Sequence, residues 1–242
     1  MSKGKTALIT GSTSGIGQGI AEALAAQGCN IVLNGFGDAG QIEALRTKIA
    51  RAHDVTVLHD GADMSKGDAI TAMMDKAIKE FGAVDIFVNN AGIMILGTVD
   101  SYSLEDLDRM LAVNVRAAFV GIQAASQAMK NGGRIILIGS NSAVRTAFPG
   151  ASVYSMTKAA LTGLVRGAAI DLAPRTITVN NIQPGPTATD MSAPHAEAVK
   201  TLIPLARMAD VSEIAGFVSY LASDEAGFIT GASLTIDGGY IA

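Results

Sequence analysis

A tyrosine and a lysine four positions apart, Tyr154 and Lys158, give the clearest chemical signal in the sequence. The apolar residues around them recur with helical spacing, and side chains four residues apart lie on the same helix face. A free tyrosine has a pKa of about 10, which is too high for efficient proton transfer at neutral pH. Because a neighbouring ammonium group favours the phenolate, we expect Lys158 to lower the pKa of Tyr154 and to make it a usable acid and base.

Three glycines near the start of the chain form a second candidate site. An apolar run ends at Thr10 and is followed by Gly11-Ser-Thr-Ser-Gly15-Ile-Gly17 and an alanine-rich helical segment. Glycines let the backbone approach a pyrophosphate closely, and the positive end of the following helix faces its negative charge. A simple tight turn also explains such glycines, but the strand before them and the helix after them favour a phosphate-binding turn.

Short β-rich runs alternate with amphipathic helical segments along the chain and must position these residues. The runs are continuously apolar, which is typical of parallel strands covered on both faces. This alternation, with right-handed crossovers, predicts an α/β protein with a three-layer, doubly wound Rossmann fold and a seven-stranded parallel sheet. Ligands bind such sheets beyond the carboxyl ends of the strands. The predicted strands are residues 6–10, 30–33, 55–59, 84–89, 134–138, 176–182 and 233–236, and the predicted helices are residues 17–27, 42–52, 68–81, 104–129, 154–172 and 212–222.

The composition predicts one domain, residues 1–242, and excludes several functional classes. Of the residues, 49% are hydrophobic and 17% charged, and a formal net charge of -4 with scattered Lys and Arg argues against a nucleic acid partner. No apolar run reaches the roughly 20 residues of a membrane span. The single cysteine, Cys29, has no Cys or His at metal-ligand spacing, so we expect no metal site and a reducing cytoplasmic location.

Taken together, the motifs resemble those of the short-chain dehydrogenases/reductases, and the resemblance covers essentially the whole chain. The family pattern TGxxxGxG is present at residues 10–17, NNAG at residues 89–92, YxxxK at residues 154–158 and PG at residues 184–185, with Asn114 in the family position between them. The resemblance implies hydride transfer between a nicotinamide cofactor and a ketone or secondary alcohol. It also implies a homo-oligomer, a dimer or tetramer that pairs through the long helices and the C-terminal strand.

The resemblance implies four catalytic residues: Asn114, Ser140, Tyr154 and Lys158. Asn114 corresponds to the asparagine of a proton relay that holds water near the lysine, although a satisfied core amide is the alternative. The commonest family spacing places the serine thirteen residues before the tyrosine, which is Asn141 in this chain. Members resembling naphthol reductases have one extra residue there, and their pattern selects Ser140, with Ser142 as a lesser candidate.

The resemblance also implies the cofactor contacts. Asn90 is expected beside the ribose, Asp63 at the adenine and Thr189 at the nicotinamide carboxamide, and residues 186–207 are expected to form a flap over the substrate. Capping of the next helix is an alternative role for Asp63 or for Ser65. The complete expected set is Gly11, Ser14, Gly15, Ile16, Gly17, Phe36, Asp63, Asn90, Ala91, Gly92, Tyr154, Lys158, Pro184, Gly185, Thr187 and Thr189.

Residues 34–38, Asn-Gly-Phe-Gly-Asp, follow the second predicted strand and contain no Lys or Arg to neutralise a 2′-phosphate, which favours NAD over NADP. The N-terminal segments are also similar to those of bacterial 3-hydroxybutyrate dehydrogenases, which use NAD. At the substrate pocket, Arg145 is the one residue that could bind an anion. The apolar character of the rest predicts a hydrophobic or cyclic ketone rather than a short hydroxy acid. The expected rim consists of Met94, Ile95, Val144, Phe148 and Met191.

A second function stays open at this point. The C-terminal half, with its GGRII, QPGP and TIDG segments, also resembles that of a cyclic-di-GMP-binding relative, so a regulatory module that holds a nucleotide with little turnover is the alternative. The presence of all four expected catalytic residues argues against it. The two functions differ in whether reduced nicotinamide is consumed when a ketone is added.

Overall fold

Seven parallel strands form one sheet, in the order β3-β2-β1-β4-β5-β6-β7, in a computed structural model that describes residues 4–189 and 196–242. The predicted α/β class and the seven-stranded parallel sheet are confirmed. The order reverses between β1 and β4, where a crevice for ligands forms in sheets of this kind. The strands are β1 (Thr6–Ile9), β2 (Asn30–Asn34), β3 (Val57–Asp60), β4 (Ile86–Asn89), β5 (Arg134–Ile138), β6 (Thr178–Pro184) and β7 (Ser233–Ile236).

Helices cover both faces of the sheet, because side chains along each strand alternate between the two faces. In β1, Leu8 packs into the core beneath α3, α5 and α6, whereas Ala7 and Ile9 pack into the core beneath α1, α2 and α8. Burial of one such Leu or Ile side chain stabilises the fold by about 1.5 to 3 kcal/mol. The described helices are α1 (Gly15–Ala26), α2 (Ala39–His53), α3 (Gly67–Phe81), α4 (Leu104–Leu111), α5 (Ala117–Ala128), α6 (Ser152–Leu172), α7 (Ala196–Lys200) and α8 (Val211–Ala222).

Three strands, β3, β4 and β6, begin two residues later than the sequence predicts, and β3 and β6 each have a local cause. Asp54 ends α2 in the left-handed conformation, and the Val55 N–H returns to the Ala50 carbonyl, so β3 begins only at Val57. Thr176 is also left-handed, with φ 53°, after a short 3-10 turn, so β6 begins at Thr178. Both residues close a preceding helix before the chain can extend.

The helix predicted over residues 104–129 is interrupted. A π-helical segment, Ala112–Arg116, separates α4 from α5 and contains the buried Asn114. Such wide turns inside α-helices occur frequently at functional sites. No helix within residues 4–189 and 196–242 is long and apolar enough to cross a membrane.

Candidate active site

The glycine turn between β1 and α1 is shaped by close backbone contacts. Gly11 and Gly15 have left-handed φ angles of 62° and 54°. A Cβ on Gly17 would lie 2.2 Å from the Gly11 carbonyl oxygen and 2.5 Å from Asn90 Nδ2, so only glycine fits there. Ser14 precedes the helix and makes no side-chain capping bond. The first N–H groups of α1 are therefore presented to an anion.

A cleft of about 820 Å³ lies along this turn, beyond the carboxyl ends of β1, β2, β3 and β4. Its volume and the helix N-terminus on one wall fit a dinucleotide whose pyrophosphate would lie at the glycine turn. The expected cofactor contacts that line the cleft are Gly11, Ser14, Gly15, Ile16, Gly17, Phe36, Asp63, Asn90, Ala91, Gly92 and Thr189. Those that do not line it are Tyr154, Lys158, Pro184, Gly185 and Thr187.

Nine further residues line the cleft that sequence reasoning did not select. Seven of the nine lie at the end of a strand or within five residues after it, and this position was the signal that could have found them. Asn34 shows why: its Oδ1 accepts from the Gly11 N–H at 3.1 Å, and its Nδ2 donates to the carbonyls of Asp60 and Ala62. The Asn34 side chain thereby links the ends of β1, β2 and β3. The nine residues are Thr13, Asn34, Gly35, Ala62, Met64, Ser65, Ile93, Arg109 and Val113.

Asn90 joins the turn after β4 to the turn after β1. Its Nδ2 donates to the carbonyl oxygens of Thr10 and Gly11, both at 2.9 Å, and its backbone N–H donates to Thr10 Oγ1 at 3.0 Å. Both amide protons of the side chain are thus engaged within the protein. The expected contact with the ribose would therefore use the remaining polar atoms of Asn90.

Asp63 lines the cleft and bonds to Ser65. Its Oδ1 accepts from the Ser65 N–H at 2.9 Å and from the Ser65 hydroxyl at 2.7 Å. The hydrogen bonds from Ser65 hold the pKa of Asp63 below its usual range. The N-cap of α3 is Lys66, so the helix-capping role considered for Asp63 or Ser65 is wrong.

Ser140 lies two residues beyond the end of β5, near Tyr154 in the first turn of α6. Its Oγ accepts from the Ser142 N–H at 3.1 Å, and its hydroxyl group lies near enough to the Tyr154 phenol to lower the pKa of that phenol. Asn141, at the commonest family spacing, donates instead to Asp237 at 3.3 Å. Ser140 is therefore better placed than Asn141 to contact a substrate oxygen beside the Tyr154 phenol.

Lys158 is buried, with 5% of its surface exposed. Its Nζ donates to the Ile138 carbonyl oxygen at 2.9 Å and lies 5.7 Å from the centre of the Tyr154 ring. Burial lowers the pKa of Lys158 to about 8. Burial also raises the pKa of Tyr154, against an opposing effect of the Ser140 hydrogen bond. The expected lowering of the pKa of Tyr154 by Lys158 is therefore wrong for the protein without a ligand, because burial raises that pKa.

Asn114 lies in the π-helical segment and fixes the chain after β4. Its Oδ1 accepts from the Ile93 N–H at 2.9 Å, while its Nδ2 donates to the Ile93 carbonyl oxygen at 2.8 Å and to Thr157 Oγ1 at 3.1 Å. Thr157 in turn donates to the Tyr154 carbonyl oxygen at 2.8 Å. The amide therefore connects the β4 turn to the helix that carries the phenol.

Gly92 keeps open the space between two of the expected catalytic residues. A Cβ at this position would lie 3.3 Å from Lys158 Nζ and 3.4 Å from Asn114 Oδ1. The second lone pair of Oδ1 is available there, since Ile93 uses only one. The space has the polar partners that a relay water needs.

The segment after β6 reaches the glycine turn. A Cβ on Gly15 would lie 3.6 Å from Thr189 Cγ2, so Thr189 covers the phosphate-binding turn. Thr187 donates to the Gly185 carbonyl oxygen at 3.0 Å and forms a β-bridge with Ala209. Pro184 and Gly185 do not reach the cleft, since Pro184 is buried at the end of β6 and Gly185 packs against Asp237.

The expected substrate rim presents exposed apolar side chains at Met94, Val144 and Phe148. Arg145, the expected anion contact, is exposed; its guanidinium donates to the Tyr240 carbonyl oxygen at 2.9 Å and lies 5.7 Å from the centre of that ring. Met191, the fifth rim residue, lies outside the described residues.

Comparison with known proteins gives consistent relatives across the chain. A family model described as enoyl-(acyl carrier protein) reductase matches residues 11–241. The chain is similar to a D-beta-hydroxybutyrate dehydrogenase from Rhizobium meliloti, with 38% identity over 256 residues that cover 98% of this chain and 99% of the relative. A short-chain dehydrogenase/reductase structure from Serratia marcescens matches with a TM-score of 0.96 and 47% identity over 99% of both chains. A short chain dehydrogenase structure from Burkholderia cenocepacia in complex with NADP matches with a TM-score of 0.95 and 39% identity, again over 99% of both chains.

Proposed function

This chain belongs to the short-chain dehydrogenase/reductase family of NAD(P)-dependent oxidoreductases, and from that premise we propose that it interconverts a ketone and a secondary alcohol with Tyr154 as general acid and base. One observation carries the proposal. The Ser140 hydroxyl lies near enough to the Tyr154 phenol to lower the pKa of that phenol, and the buried Lys158 Nζ lies 5.7 Å from the centre of the same ring. These three side chains converge although they come from a strand end and two turns of α6.

The glycine turn and the cleft beside it would hold a nicotinamide dinucleotide, which would supply or accept a hydride when bound. Tyr154 donates its phenolic proton to the carbonyl oxygen in reduction and takes a proton from the hydroxyl group in oxidation. Ser140 Oγ accepts a hydrogen bond from the Ser142 N–H, so the Ser140 hydroxyl proton is available to donate to the substrate oxygen. Lys158 stabilises the phenolate after proton transfer, and the partly buried site strengthens that electrostatic interaction. The space at Gly92 would hold the water that returns a proton through Asn114 and Lys158.

We assign residues 186–207 to a flap over the substrate. The contact of Thr189 with Gly15 supports this assignment, because it brings the start of the segment onto the phosphate-binding turn. At its other end, Ile203 packs with Tyr240 and Met208. Residues 190–195 lie outside the described part of the chain. Closure of such a segment would exclude water from the reacting groups.

The cofactor we propose is NAD in preference to NADP. Asp38 caps α2 by accepting the Gln41 N–H at 2.9 Å, and Phe36 lines the cleft with its ring 67% exposed. Among the described residues that line the cleft, Arg109 of α4 is the one with a cationic side chain. Its charge helps to lower the pKa of Asp63. A 2′-phosphate at the end of β2 would lack a cation there. The relative from Burkholderia cenocepacia binds NADP, so both dinucleotides must be tested.

The substrate we propose is an uncharged hydrophobic or cyclic ketone. The Gly97 N–H donates to the Gly150 carbonyl oxygen at 3.0 Å, which brings the loop of Met94 to the loop of Phe148. These exposed apolar side chains can cover a hydrophobic ring. One N–H of the Arg145 guanidinium is held by the Tyr240 carbonyl oxygen, and the proposal rests on the apolar side chains of the rim.

We also propose that the chain forms a dimer or tetramer. Large apolar side chains are exposed on the outer faces of the long helices, at Phe119 on α5 and at Met156 and Ile170 on α6. Phe228, before β7, is fully exposed. Patches of this kind are typical of contacts between subunits.

A screen of ketones and alcohols against NADH and NADPH tests the proposed function. We expect oxidation of the reduced nicotinamide with alicyclic or aromatic ketones, a higher kcat/KM with NADH, and weak activity with acetoacetate. Absorbance of the reduced ring is the measurement. Tight nucleotide binding without turnover of any substrate would contradict the proposal and favour a binding module, for which no feature of the site argues.

Ser140 and Ser142 provide a matched pair of variants. We expect Ser140→Ala to lower kcat by roughly 10²-fold, because one hydrogen bond to the reacting oxygen is lost. Ser142 contributes only its backbone N–H to the Ser140 hydroxyl, so Ser142→Ala should keep kcat within about threefold of wild type. Steady-state kinetics with the best ketone from the screen distinguish the two. Equal losses in both variants would contradict the assignment of Ser140.

A further inference from the structure

The last six residues, 237–242, form a tight turn that we call the C-terminal turn. The Asp237 carboxylate closes it, with Oδ1 accepting from the Gly239 N–H at 3.0 Å and Oδ2 from the Ile241 N–H at 3.1 Å. Tyr240 is buried, with 8% of its surface exposed. A carboxylate that accepts two backbone N–H groups is fixed in orientation. Asp237 is therefore a rigid point next to the end of β7.

The C-terminal turn holds the loop that carries Ser140 at two points. Asn141 Nδ2 donates to Asp237 Oδ2 at 3.3 Å, and Asn141 is buried, with 6% of its surface exposed. Four residues later, the Arg145 guanidinium donates to the Tyr240 carbonyl oxygen at 2.9 Å. Both contacts join residues that are about 95 positions apart in sequence.

The loop between these two contacts is rigid, so its position depends on what holds it. The Asn141 carbonyl oxygen accepts from the N–H groups of Val144 and Arg145 at 2.9 and 3.1 Å. The Ala143 N–H donates to the Ser140 carbonyl oxygen at 3.1 Å, which makes a 3-10 turn. Because the turn moves as a unit, a displacement of the Asn141 side chain displaces Ser140 as well.

We propose that Asn141 and Asp237 are positioning residues whose hydrogen bond holds the Ser140 hydroxyl against the Tyr154 phenol. The proposal rests on the proposed function, since it concerns the placement of a reacting hydroxyl group. Neither residue touches the substrate oxygen. Their effect is nevertheless large, because a displacement of about 1 Å in a reacting group can lower a rate by roughly 10²-fold.

The test exchanges the two partners. Asn141→Asp places two carboxylates in contact, and we expect kcat to fall by roughly tenfold or more while the calorimetric Kd for NAD changes less than about threefold. The double variant Asn141→Asp with Asp237→Asn removes the repulsion between two carboxylates but puts an amide nitrogen against the Ile241 N–H, so we expect a partial recovery of kcat, by about twofold or more over Asn141→Asp. Asn131→Asp, an exposed residue before β5, is the matched control and should keep the wild-type kcat.

Three results would overturn the inference: wild-type kcat in Asn141→Asp, no recovery in the double variant, or an equal loss in the Asn131→Asp control. If Asn141→Asp does not fold by circular dichroism, Asn141→Ala replaces it, because it removes the hydrogen bond without adding a charge, and the same fall in kcat is expected. A wild-type protein that reduces no ketone contradicts the proposed function itself. Unchanged kinetics of the variants in an active enzyme contradict only the positioning role.

Discussion

Replacement of Tyr154 by phenylalanine is expected to lower kcat/KM by roughly 10³-fold or more, because the variant keeps the ring and loses the proton that reaches the carbonyl oxygen. The ring packs under Lys158, which lies 5.7 Å from its centre, so the fold and the cleft should persist. Calorimetry should therefore give a Kd for NAD within about threefold of the wild-type value. Loss of turnover with retained binding is the signature of a residue that acts in the transition state.

A second tyrosine supplies the control for this variant. Tyr220 lies on α8 with 41% of its surface exposed, away from the cleft. We expect Tyr220→Phe to leave kcat/KM unchanged. Substantial turnover by Tyr154→Phe, measured with the same ketone and dinucleotide, would remove the phenol from the mechanism.

Lys158→Met is expected to change both activity and the pH dependence of stability. Burial lowers the pKa of Lys158 from 10.5 to about 8, so below pH 8 both the folded and unfolded chains bind the proton and the folded state bears the full cost of the buried charge. Between about pH 8 and pH 10.5 the unfolded chain binds more protons, and stability rises with pH. We expect the free energy of unfolding of the wild type, relative to Lys158→Met, to rise by about 2 kcal/mol between pH 7.5 and pH 10.

Urea unfolding at the two pH values measures this difference, and kinetics measure the second effect. Without the ammonium group beside the phenolate, we expect kcat to fall by roughly 10²-fold. Lys79→Met, at an exposed position on α3, is the control and should show neither change. A Lys158→Met variant with the pH profile of the wild type would show that the lysine is neutral or solvated at neutral pH.

The sequence predicted the fold class well because its signal is local. β5 and β7 have the predicted bounds, and β3 and β6 begin later only because Asp54 and Thr176 adopt left-handed conformations. Non-glycine residues enter that region rarely, and nothing in the surrounding residue types marks these two. The π-helical segment around Asn114 was missed for a similar reason, since one wide helical turn leaves the apolar periodicity nearly intact.

The contacts of the site were less predictable, because they join residues far apart in sequence. Arg145 was interpreted as a free cation, although its partner Tyr240 lies at the end of the chain. The lowered pKa expected for Tyr154 followed from the four-residue spacing to Lys158, but burial and the carbonyl of Ile138 decide where the ammonium points. Spacing along a helix places two side chains on one face and leaves their solvation undetermined.

The close packing of Gly17 against Gly11 and Asn90 has a consequence for the order of folding. Asn90 lies 80 residues after Thr10, so the phosphate-binding turn cannot take its final shape while β4 is still inside the ribosome. Since β1 and β4 also join the two halves of the sheet, assembly of the halves and formation of the dinucleotide site are one event. We therefore expect dinucleotide binding to report on the pairing of β4 with β1.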